Sequence, residues 1–258
     1  MLAWYRKHRR DLPWRARDDE APNPYHVFIS EAMLQQTQVA TVIDYFQRFI
    51  EAFPTVEALA KADEQQVLRL WQGLGYYRRA RNLPAAAKEI VAQHDGRVPD
   101  TVADLLALPG VGRYTAGAVA SIAYGRPEPI VDGNVARVLA RWFAIQDAIV
   151  LPMAREKLWS LAEALVPAKG AGDFNQAMME LGALVCLPRG PRCLVCPVVE
   201  LCEAAKRQEA EAYPVKGARK KPRGVRHHIL AIESGGGFVF QRRQAAGLWS
   251  NIGELAKI

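Results

Sequence analysis

The sequence predicts an all-α protein of two helical lobes, followed by a short and incomplete β tail. Apolar residues recur at helical spacing from residue 25 onwards, and no stretch between residues 25 and 146 alternates apolar and polar residues as a half-buried strand does. Proline and glycine residues divide this region into segments of helix length. A chain of 258 residues is also long enough to bury a sizeable core.

Breaks in the pattern place the lobes and their helices. We expect one helical lobe over residues 17–125, a second lobe built from residues 1–16 and 126–210, a basic linker over 211–224 and the tail over 225–258. A short N-terminal helix leads into a proline-rich turn. The later helices are expected at about 25–49, 55–72, 79–93, 101–107, 113–124, 134–146, 153–166 and 173–185.

The charge distribution favours an anionic partner. The formal net charge is +7, and many cations are grouped at residues 6–17, 78–81 and 216–226, which suits phosphate contacts. A solubilising surface or a disordered basic linker is the alternative, and for the last group it is equally open. No apolar stretch is long enough to cross a membrane and no signal peptide opens the chain, so we expect an intracellular protein without a membrane partner.

A glycine-containing turn and a carboxylate twenty residues later point to chemistry beside a nucleic-acid backbone. Leu108-Pro109-Gly110-Val111-Gly112 ends one helix and starts the next, so free backbone N–H groups are expected at a helix N-terminus, where a phosphate can bind. Asp132 stands at the start of a later helix. The alternatives are a plain helix–helix turn and a plain N-cap, since aspartate is a preferred N-cap residue.

Glu31 is the candidate general acid. It shares a helix face with Val27, Phe28 and Leu34, and the pattern also places Gln35 and Gln38 on that face. Apolar neighbours raise the pKa of a carboxyl by desolvation, which keeps it protonated near neutrality. A half-exposed helical glutamate at the edge of the stripe is the alternative.

Two tyrosines follow a glycine-hinged turn and precede an arginine run over residues 78–81. One ring could enter or stack on bases while the arginines hold phosphates. The alternative is that both rings pack against the next helix. We expect one of Tyr76 and Tyr77 to pack and the other to protrude.

Four cysteines lie within seventeen residues, at positions 186, 193, 196 and 202. In a reducing compartment, such a group is more typical of metal ligands than of disulfides. Zinc sites usually pair two Cys-x2-Cys knuckles, and only one is present, so an iron–sulfur cluster fits the spacing better than zinc does.

These segments together resemble the adenine DNA glycosylases of the MutY family, members of the helix-hairpin-helix superfamily that also contains endonuclease III. The resemblance covers about residues 4–205. It is carried by LPGVGRYTAG, VDGNV, SEAMLQQTQVATVI, GLGYYRRARNL, FNQAMMELGALVC and the cysteine loop. It implies a two-lobed helix-hairpin-helix fold and a monomeric, cytoplasmic, nucleoid-associated bacterial enzyme. Such an enzyme excises adenine paired with 8-oxoguanine or guanine in double-stranded DNA, and flips the adenosine out of the stack to do so.

The resemblance also assigns roles to residues. Glu31 matches the catalytic acid, Asp132 matches the carboxylate that stabilises the sugar cation, and Tyr114 and Asn134 match groups beside them. The implied DNA contacts are Gln36, Tyr76, Arg78, Gly110, Gly112, Arg113 and Arg192. A [4Fe–4S] cluster would be held by Cys186, Cys193, Cys196 and Cys202.

Two rival functions share parts of this pattern. An endonuclease III-like lyase has the same fold, hairpin and cluster, but such lyases carry a Schiff-base lysine where this chain has Tyr114, and a phenol cannot form an imine. They also lack a counterpart of Glu31. A catalytically dead DNA-binding protein would require the loss of Glu31 or Asp132, and both are present.

The tail is expected to form a β-hairpin, with strands near residues 225–232 and 238–243 and a turn at 233–237. The resemblance implies a fragment of the Nudix-like C-terminal domain of the family, and Gly247-Leu248-Trp249 continues it. The segment is too short to close a core of its own.

Overall fold

The structure is a computed structural model of the chain. It describes residues 1–16, 20–217, 224, 229–230, 232–242 and 253–257. The chain divides into two compact units, Met1–Gly217 and Ala218–Ile258. The first unit is built from helices, and the described residues of this unit contain no strand, which confirms the all-α prediction.

The first unit contains twelve α-helices among its described residues. They are α1 Leu2–His8, α2 Pro24–Leu34, α3 Val39–Ala52, α4 Val56–Ala60, α5 Glu64–Trp71, α6 Arg78–Gln93, α7 Val102–Ala107, α8 Arg113–Tyr124, α9 Gly133–Trp142, α10 Pro152–Leu165, α11 Ala171–Leu184 and α12 Glu203–Lys206. Short 3-10 turns lie at Cys193–Val195, Val199–Leu201 and Ala210–Ala212. No described helix is long and apolar enough to span a membrane.

The prediction of one continuous helix over residues 25–49 is wrong, because two separate helices, α2 and α3, cover this segment. Helix α2 ends at Leu34 and α3 begins at Val39, so Gln35 and Gln38 lie in a turn and do not share the helix face of Glu31. The last carbonyls of α2 accept hydrogen bonds from Arg79 instead of from the next helical turn. This tertiary contact overrides a periodicity that would otherwise continue.

Two other predicted helices are too long. The segment predicted at 55–72 is divided into α4 and α5, with Lys61 ending the first helix and Asp63 standing at the N-cap of the second. The helix predicted to run to residue 146 ends at Trp142, and Ala144 has a φ of +42°, which an α-helix cannot contain.

Two main hydrophobic cores fill the first unit. One is formed by α2 to α8 around residues such as Phe49, Trp71 and Ile90, and the other by α9 to α11 around residues such as Leu139 and Leu181. Helix α8 contributes to both, since Val119 packs in the first core and Ala118 in the second. The lobe boundaries at residues 17–125 and 126–210 stay a prediction.

The described part of the second unit forms short strands. They are β1 Ile229–Leu230, β2 Glu233–Ser234, β3 Gly237–Phe238, β4 Phe240–Arg242 and β5 Gly253–Lys257. Strands β2 and β3 pair antiparallel around Gly235 and Gly236, so the predicted hairpin is present with a tighter turn and shorter strands than expected. Strand β5 lies between β1 and β4 in a three-stranded antiparallel sheet. Residues 225–228 and 243–250, which include parts of the predicted strands and Gly247-Leu248-Trp249, lie outside the described residues.

Candidate active site

A pocket of about 1050 Å³ in the first unit is lined by most of the residues that the sequence singled out. Helices α2, α8 and α11, the N-terminus of α9 and the segment before α2 contribute to its walls. The lining residues that the sequence had marked as functional are Glu31, Gln36, Gly110, Gly112, Arg113, Tyr114, Asp132 and Asn134. Two acidic side chains a hundred residues apart in sequence therefore line one pocket.

Glu31 lies in α2 and is only 4% exposed. Helix α2 begins at Pro24 because the Asn23 side chain accepts from the backbone N–H groups of Tyr25 and His26 in the first turn. Burial raises the pKa of Glu31 to about 7, and the charge of Asp132 adds to the rise, while a hydrogen bond from Tyr114 opposes it. The predicted rise is confirmed, and a substantial fraction of Glu31 is protonated at neutral pH.

Tyr114, in the first turn of α8, is the hydrogen-bond donor to this acid. Its Oη lies 2.6 Å from Glu31 Oε2 and 3.3 Å from Met179 Sδ. Burial raises the pKa of Tyr114 well above its usual value, and the neighbouring carboxylates raise it further. The phenol therefore stays protonated and donates a hydrogen bond to the Glu31 carboxyl.

Asp132 is both a helix cap and a pocket residue. Its Oδ1 accepts from the backbone N–H of Val135 at 2.7 Å, which caps α9, and its Oδ2 accepts from Asn134 Nδ2 at 3.2 Å. Burial raises the pKa of Asp132 despite these hydrogen bonds. Partial removal from water leaves the carboxylate poorly solvated, so it interacts more strongly with a positive charge brought into the pocket.

Arg137 fixes the orientation of Asn134, a role that the sequence pattern did not reveal. Its Nη2 donates to Asn134 Oδ1 at 2.8 Å and to the Gly182 carbonyl at 2.7 Å. Its Nε donates to the Cys186 carbonyl at 2.8 Å. A chain of hydrogen bonds thus runs from the Asp132 carboxylate to the backbone of the cysteine loop.

Two arginines expected to contact phosphates bind a buried carboxylate instead. Arg10 donates from Nε at 2.8 Å and Arg15 from Nη2 at 2.9 Å to the two oxygens of Glu180, which is fully buried in α11. Burial alone would raise the pKa of Glu180, but the hydrogen bonds from both arginines outweigh it and lower the pKa to about 2. The prediction that Arg10 and Arg15 contact phosphates is wrong, because Glu180 binds both guanidinium groups. This ion network ties the N-terminal segment to the wall of the pocket.

The two turns that carry Gln36 and Tyr76 expose these side chains. Tyr76 is 60% exposed, whereas Tyr77 packs against the first core, so the expectation that one ring packs and one protrudes is confirmed. Arg78 is exposed at the start of α6. Arg79 points inward, and its assignment to phosphate binding is wrong.

The turn between α7 and α8 leaves the α8 N-terminus open to solvent. Gly110 has a φ of +79°, and a Cβ there would meet the side chain of Asn82, so both conformation and space require glycine. Gly112 is exposed at the N-cap position. The Arg113 guanidinium carbon lies 4.1 Å from the ring centre of Trp159, and its Nη1 lies 3.4 Å from Glu156 Oε2.

The four cysteines line a second cavity and form no disulfide. Among the described residues, no group of three or more His, Cys, Asp or Glu side chains is placed to hold a single metal ion. The side chain of Arg141 lies beside the thiols, with Nη1 3.2 Å from Cys186 Sγ. Arg141 is 1% exposed, and its Nη2 is buried without a hydrogen-bond partner. Arg192 also lines this cavity and is exposed.

Comparison with known proteins gives a family and several relatives. Residues 29–164 match the family described as HhH-GPD superfamily base excision DNA repair protein. The adenine DNA glycosylase of Homo sapiens is 48% identical over 223 residues, which cover 84% of this chain and 41% of that protein. The adenine DNA glycosylase of Buchnera aphidicola subsp. Schizaphis graminum is 37% identical over 253 residues, which cover 98% of this chain and 72% of that protein.

Solved structures agree with this fold. A thermostable thymine-DNA glycosylase superposes with a TM-score of 0.70 at 33% identity, over 80% of this chain and 93% of that one. Endonuclease III in a non-covalent complex with DNA superposes with a TM-score of 0.63 at 25% identity, over 76% of this chain and 90% of that one.

The helical fold, the hairpin and the matched residues define a member of the HhH-GPD superfamily of base excision DNA repair proteins. Within this superfamily, the chain belongs to the adenine DNA glycosylase family, since it matches most of the length of the Buchnera protein at 37% identity. The predicted resemblance to the adenine DNA glycosylases is confirmed, whereas the assignment of the tail to a Nudix-like domain stays a prediction. The chain spans about two fifths of the length of the human, rat and mouse relatives, 41% in each case.

Proposed function

We propose that this chain excises adenine paired with 8-oxoguanine or guanine from double-stranded DNA by hydrolysing the N-glycosidic bond. One observation carries the proposal: a buried Glu31 with a pKa of about 7 and the Asp132 carboxylate line one pocket. Such a pair can protonate a leaving group on one side and stabilise a sugar cation on the other. The proposed site needs no residue from a second copy, and we propose a monomeric enzyme.

Glu31 supplies the proton that makes adenine a leaving group. The adenosine must first leave the base stack, because the glycosidic bond is inaccessible inside a duplex. The protonated carboxyl then gives its proton to a ring nitrogen of the adenine, so that the base departs as a neutral molecule. Tyr114, by donating to Oε2, stabilises the carboxylate that remains.

Asp132 stabilises the positive charge that develops on the sugar as the bond breaks. Its Oδ1 is held by the cap of α9, and Asn134 holds Oδ2, so the carboxylate is oriented before the substrate arrives. Water then adds to the sugar cation and gives up a proton, which the Glu31 carboxylate can take back, so that an abasic site forms. We propose that the strand stays intact, since Tyr114 cannot form the imine with which a lyase cleaves it.

The surface that we propose to hold DNA surrounds this pocket. The open N-terminus of α8, with Gly110, Gly112 and Arg113, would hold a backbone phosphate, and Arg78 and Arg192 are exposed cations that would hold others. Gln36 and Tyr76 would enter the duplex around the base opposite the adenine.

We also propose that Cys186, Cys193, Cys196 and Cys202 hold a [4Fe–4S] cluster. Four unpaired thiols around one cavity supply the donor set, and their spacing is uneven, as is usual for such clusters. Arg141 supports the fit, because a fully buried guanidinium with an unpartnered Nη2 beside a thiol calls for an anionic group. When bound, the cluster would supply a cross-link for the loop that carries Arg192, and a redox-active centre.

Arg141 gives a prediction for the cluster. Replacing Arg141 with methionine is expected to lower the reduction potential of the cluster and the iron content of the purified protein, because a buried cation beside the thiolates is lost. Arg141→Lys keeps the charge, so the reduction potential of its cluster is expected to stay close to that of the unchanged protein. Iron analysis and voltammetry measure both effects. Arg189→Met removes an exposed cation from the same loop and serves as the control, and equal potentials in all four proteins would contradict the role given to Arg141.

The proposed function is tested by incubating the protein with a duplex containing adenine opposite 8-oxoguanine, followed by work-up with and without alkali. Strand breakage only after alkali is expected of a monofunctional glycosylase. Breakage without alkali would favour the endonuclease III-like lyase, to which the fold is also similar. Binding without breakage in either work-up would indicate a protein that recognises DNA without catalysis.

A further inference from the structure

The two turns that carry Gln36 and Tyr76 share an unusual backbone conformation. Gln36 has a φ of +58° and Tyr76 a φ of +49°, in the left-handed region that non-glycine residues seldom occupy. Such residues persist where surrounding contacts hold them. The two turns are forty residues apart in sequence, and one side chain contacts both of them.

Arg79 holds the first turn through its carbonyl groups. Its Nη1 donates to the carbonyls of Ala32, Met33 and Gln35 at 3.0, 2.7 and 2.6 Å. Its Nη2 donates to Thr37 Oγ1 at 3.2 Å. These acceptors lie on both sides of Gln36.

The same guanidinium holds the second turn. Nη2 donates to the carbonyls of Leu74 and Gly75 at 3.4 and 3.2 Å. The guanidinium carbon lies 5.3 Å from the ring centre of Tyr76 and 5.2 Å from that of Trp71. Trp71 supports this arrangement, because its Nε1 also donates to the Gly75 carbonyl, at 2.9 Å.

The position of these contacts along the backbone is informative. The carbonyls of Gln35 and Gly75 belong to the peptide groups that immediately precede Gln36 and Tyr76, the two left-handed residues. Arginine can bind both groups at once because its donors lie in one rigid plane, whereas lysine offers a single flexible ammonium. Arg79 thereby fixes the two turns relative to each other.

The first turn is also linked to the catalytic acid. Gln35 Nε2 donates to Thr115 Oγ1 at 3.0 Å, and Thr115 follows Tyr114, the hydrogen-bond partner of Glu31. Helix α2, whose last carbonyls Arg79 binds, carries Glu31 itself. A displacement of the turn would therefore also shift residues that line the pocket.

We propose that Arg79 is a positioning residue that holds Gln36 and Tyr76 in one fixed arrangement, so that both meet the base opposite the adenine together. The inference rests on the proposed function, in which these two side chains enter the duplex. Arg79 lies in a basic run and yet gives its hydrogen bonds to backbone carbonyls and to Thr37 Oγ1 of the protein. Its role is in the specificity for the opposite base and not in phosphate binding.

The test compares single-turnover excision of adenine opposite 8-oxoguanine and opposite guanine, with enzyme in excess. Arg79→Lys keeps the charge but cannot span both turns. It is expected to reduce the rate ratio between the two duplexes by on the order of tenfold or more, because small displacements of positioning groups carry large rate effects. Arg69→Lys, at an exposed arginine of α5 to which no role in binding or catalysis is given, is the matched control, and its ratio should equal that of the unchanged protein.

A double-mutant cycle shows whether Arg79 acts through the two turns. In a background of Gln36→Ala and Tyr76→Ala, adding Arg79→Lys should leave the rate ratio unchanged, since nothing remains to be positioned. Thermal unfolding of each variant, together with binding to duplexes with a non-hydrolysable adenosine analogue opposite either base, separates loss of folding from loss of discrimination.

The outcomes separate this inference from the proposed function. If the unchanged protein excises no adenine from either duplex, the proposed function fails, and the inference fails with it. If the unchanged protein excises adenine and Arg79→Lys keeps the full rate ratio and the full binding preference, only the inference is overturned. An effect of Arg79→Lys that persists undiminished without Gln36 and Tyr76 would also overturn it.

Discussion

Replacing Glu31 with glutamine is expected to reduce the rate of adenine excision by about a thousandfold, within the range that general acid catalysis contributes. Glutamine keeps the shape of the side chain and can still accept from Tyr114. It has no acidic proton to give to the adenine ring. Affinity for the duplex should change little, and single-turnover rates with a binding assay measure the two effects separately.

The same substitution is expected to stabilise the protein at alkaline pH. Burial raises the pKa of Glu31 from 4.5 to about 7 in the folded protein. The folded state therefore favours the protonated acid, and stability is lost as the pH rises from 4.5 through 7. At about 1.4 kcal/mol for each pH unit, Glu31→Gln should gain up to ~3 kcal/mol in the free energy of unfolding at pH 8, and close to nothing near pH 4.5. Urea unfolding at the two pH values measures the difference.

A surface glutamate provides the control for both effects. Glu51 is exposed on α3, and Glu51→Gln should leave excision and the pH dependence of unfolding as they are in the unchanged protein. Retained excision by Glu31→Gln would remove Glu31 from the mechanism. Loss of excision without any gain in stability at pH 8 would instead contradict the raised pKa.

The features that the sequence predicts well depend on neighbours close in the chain. The burial of Glu31 follows from apolar residues three and four positions away, and the capping position of Asp132 follows from the residue type ahead of a helical segment. The hairpin turn is also predicted from a local signal, because the left-handed backbone conformation at residue 110 favours glycine. In each case, the types of a few consecutive residues determine the periodicity or the special backbone conformation.

The features that the sequence does not predict involve arginines whose partners are distant in the chain. Arg10, Arg15 and Arg79 stand in basic runs, which suggest exposed phosphate contacts, yet their guanidinium groups bind Glu180 or backbone carbonyls. The direction of a long side chain depends on acceptors that only the folded structure brings near. The break after Leu34 has the same cause, since Arg79 replaces the hydrogen bonds with which the helix would continue. One signal was available for Glu180, a lone carboxylate in the apolar segment 177–185, which needs a cationic partner if it is buried.

Replacing Asp132 with asparagine is expected to slow adenine excision by at least 10²–10³-fold, the range associated with loss of one preorganised group that stabilises transition-state charge. The amide oxygen of asparagine can still accept from the Val135 N–H, so the cap of α9 should survive and the protein should remain folded. What disappears is the negative charge that we propose stabilises the developing sugar cation.

Charge and capping at Asp132 can be separated with two abasic-site mimics, a cationic pyrrolidine and a neutral tetrahydrofuran. The unchanged protein should bind the cationic mimic more tightly, and Asp132→Asn should lose this difference, because the preference arises from the carboxylate. Thr101→Ala removes a cap from α7, far from Asp132 in the chain, and should cost about 1 kcal/mol of stability without affecting the rate or the preference. If Asp132→Asn still binds the cationic mimic more tightly than the neutral one by the original factor, the carboxylate does not stabilise the cation and Asp132 serves α9 alone.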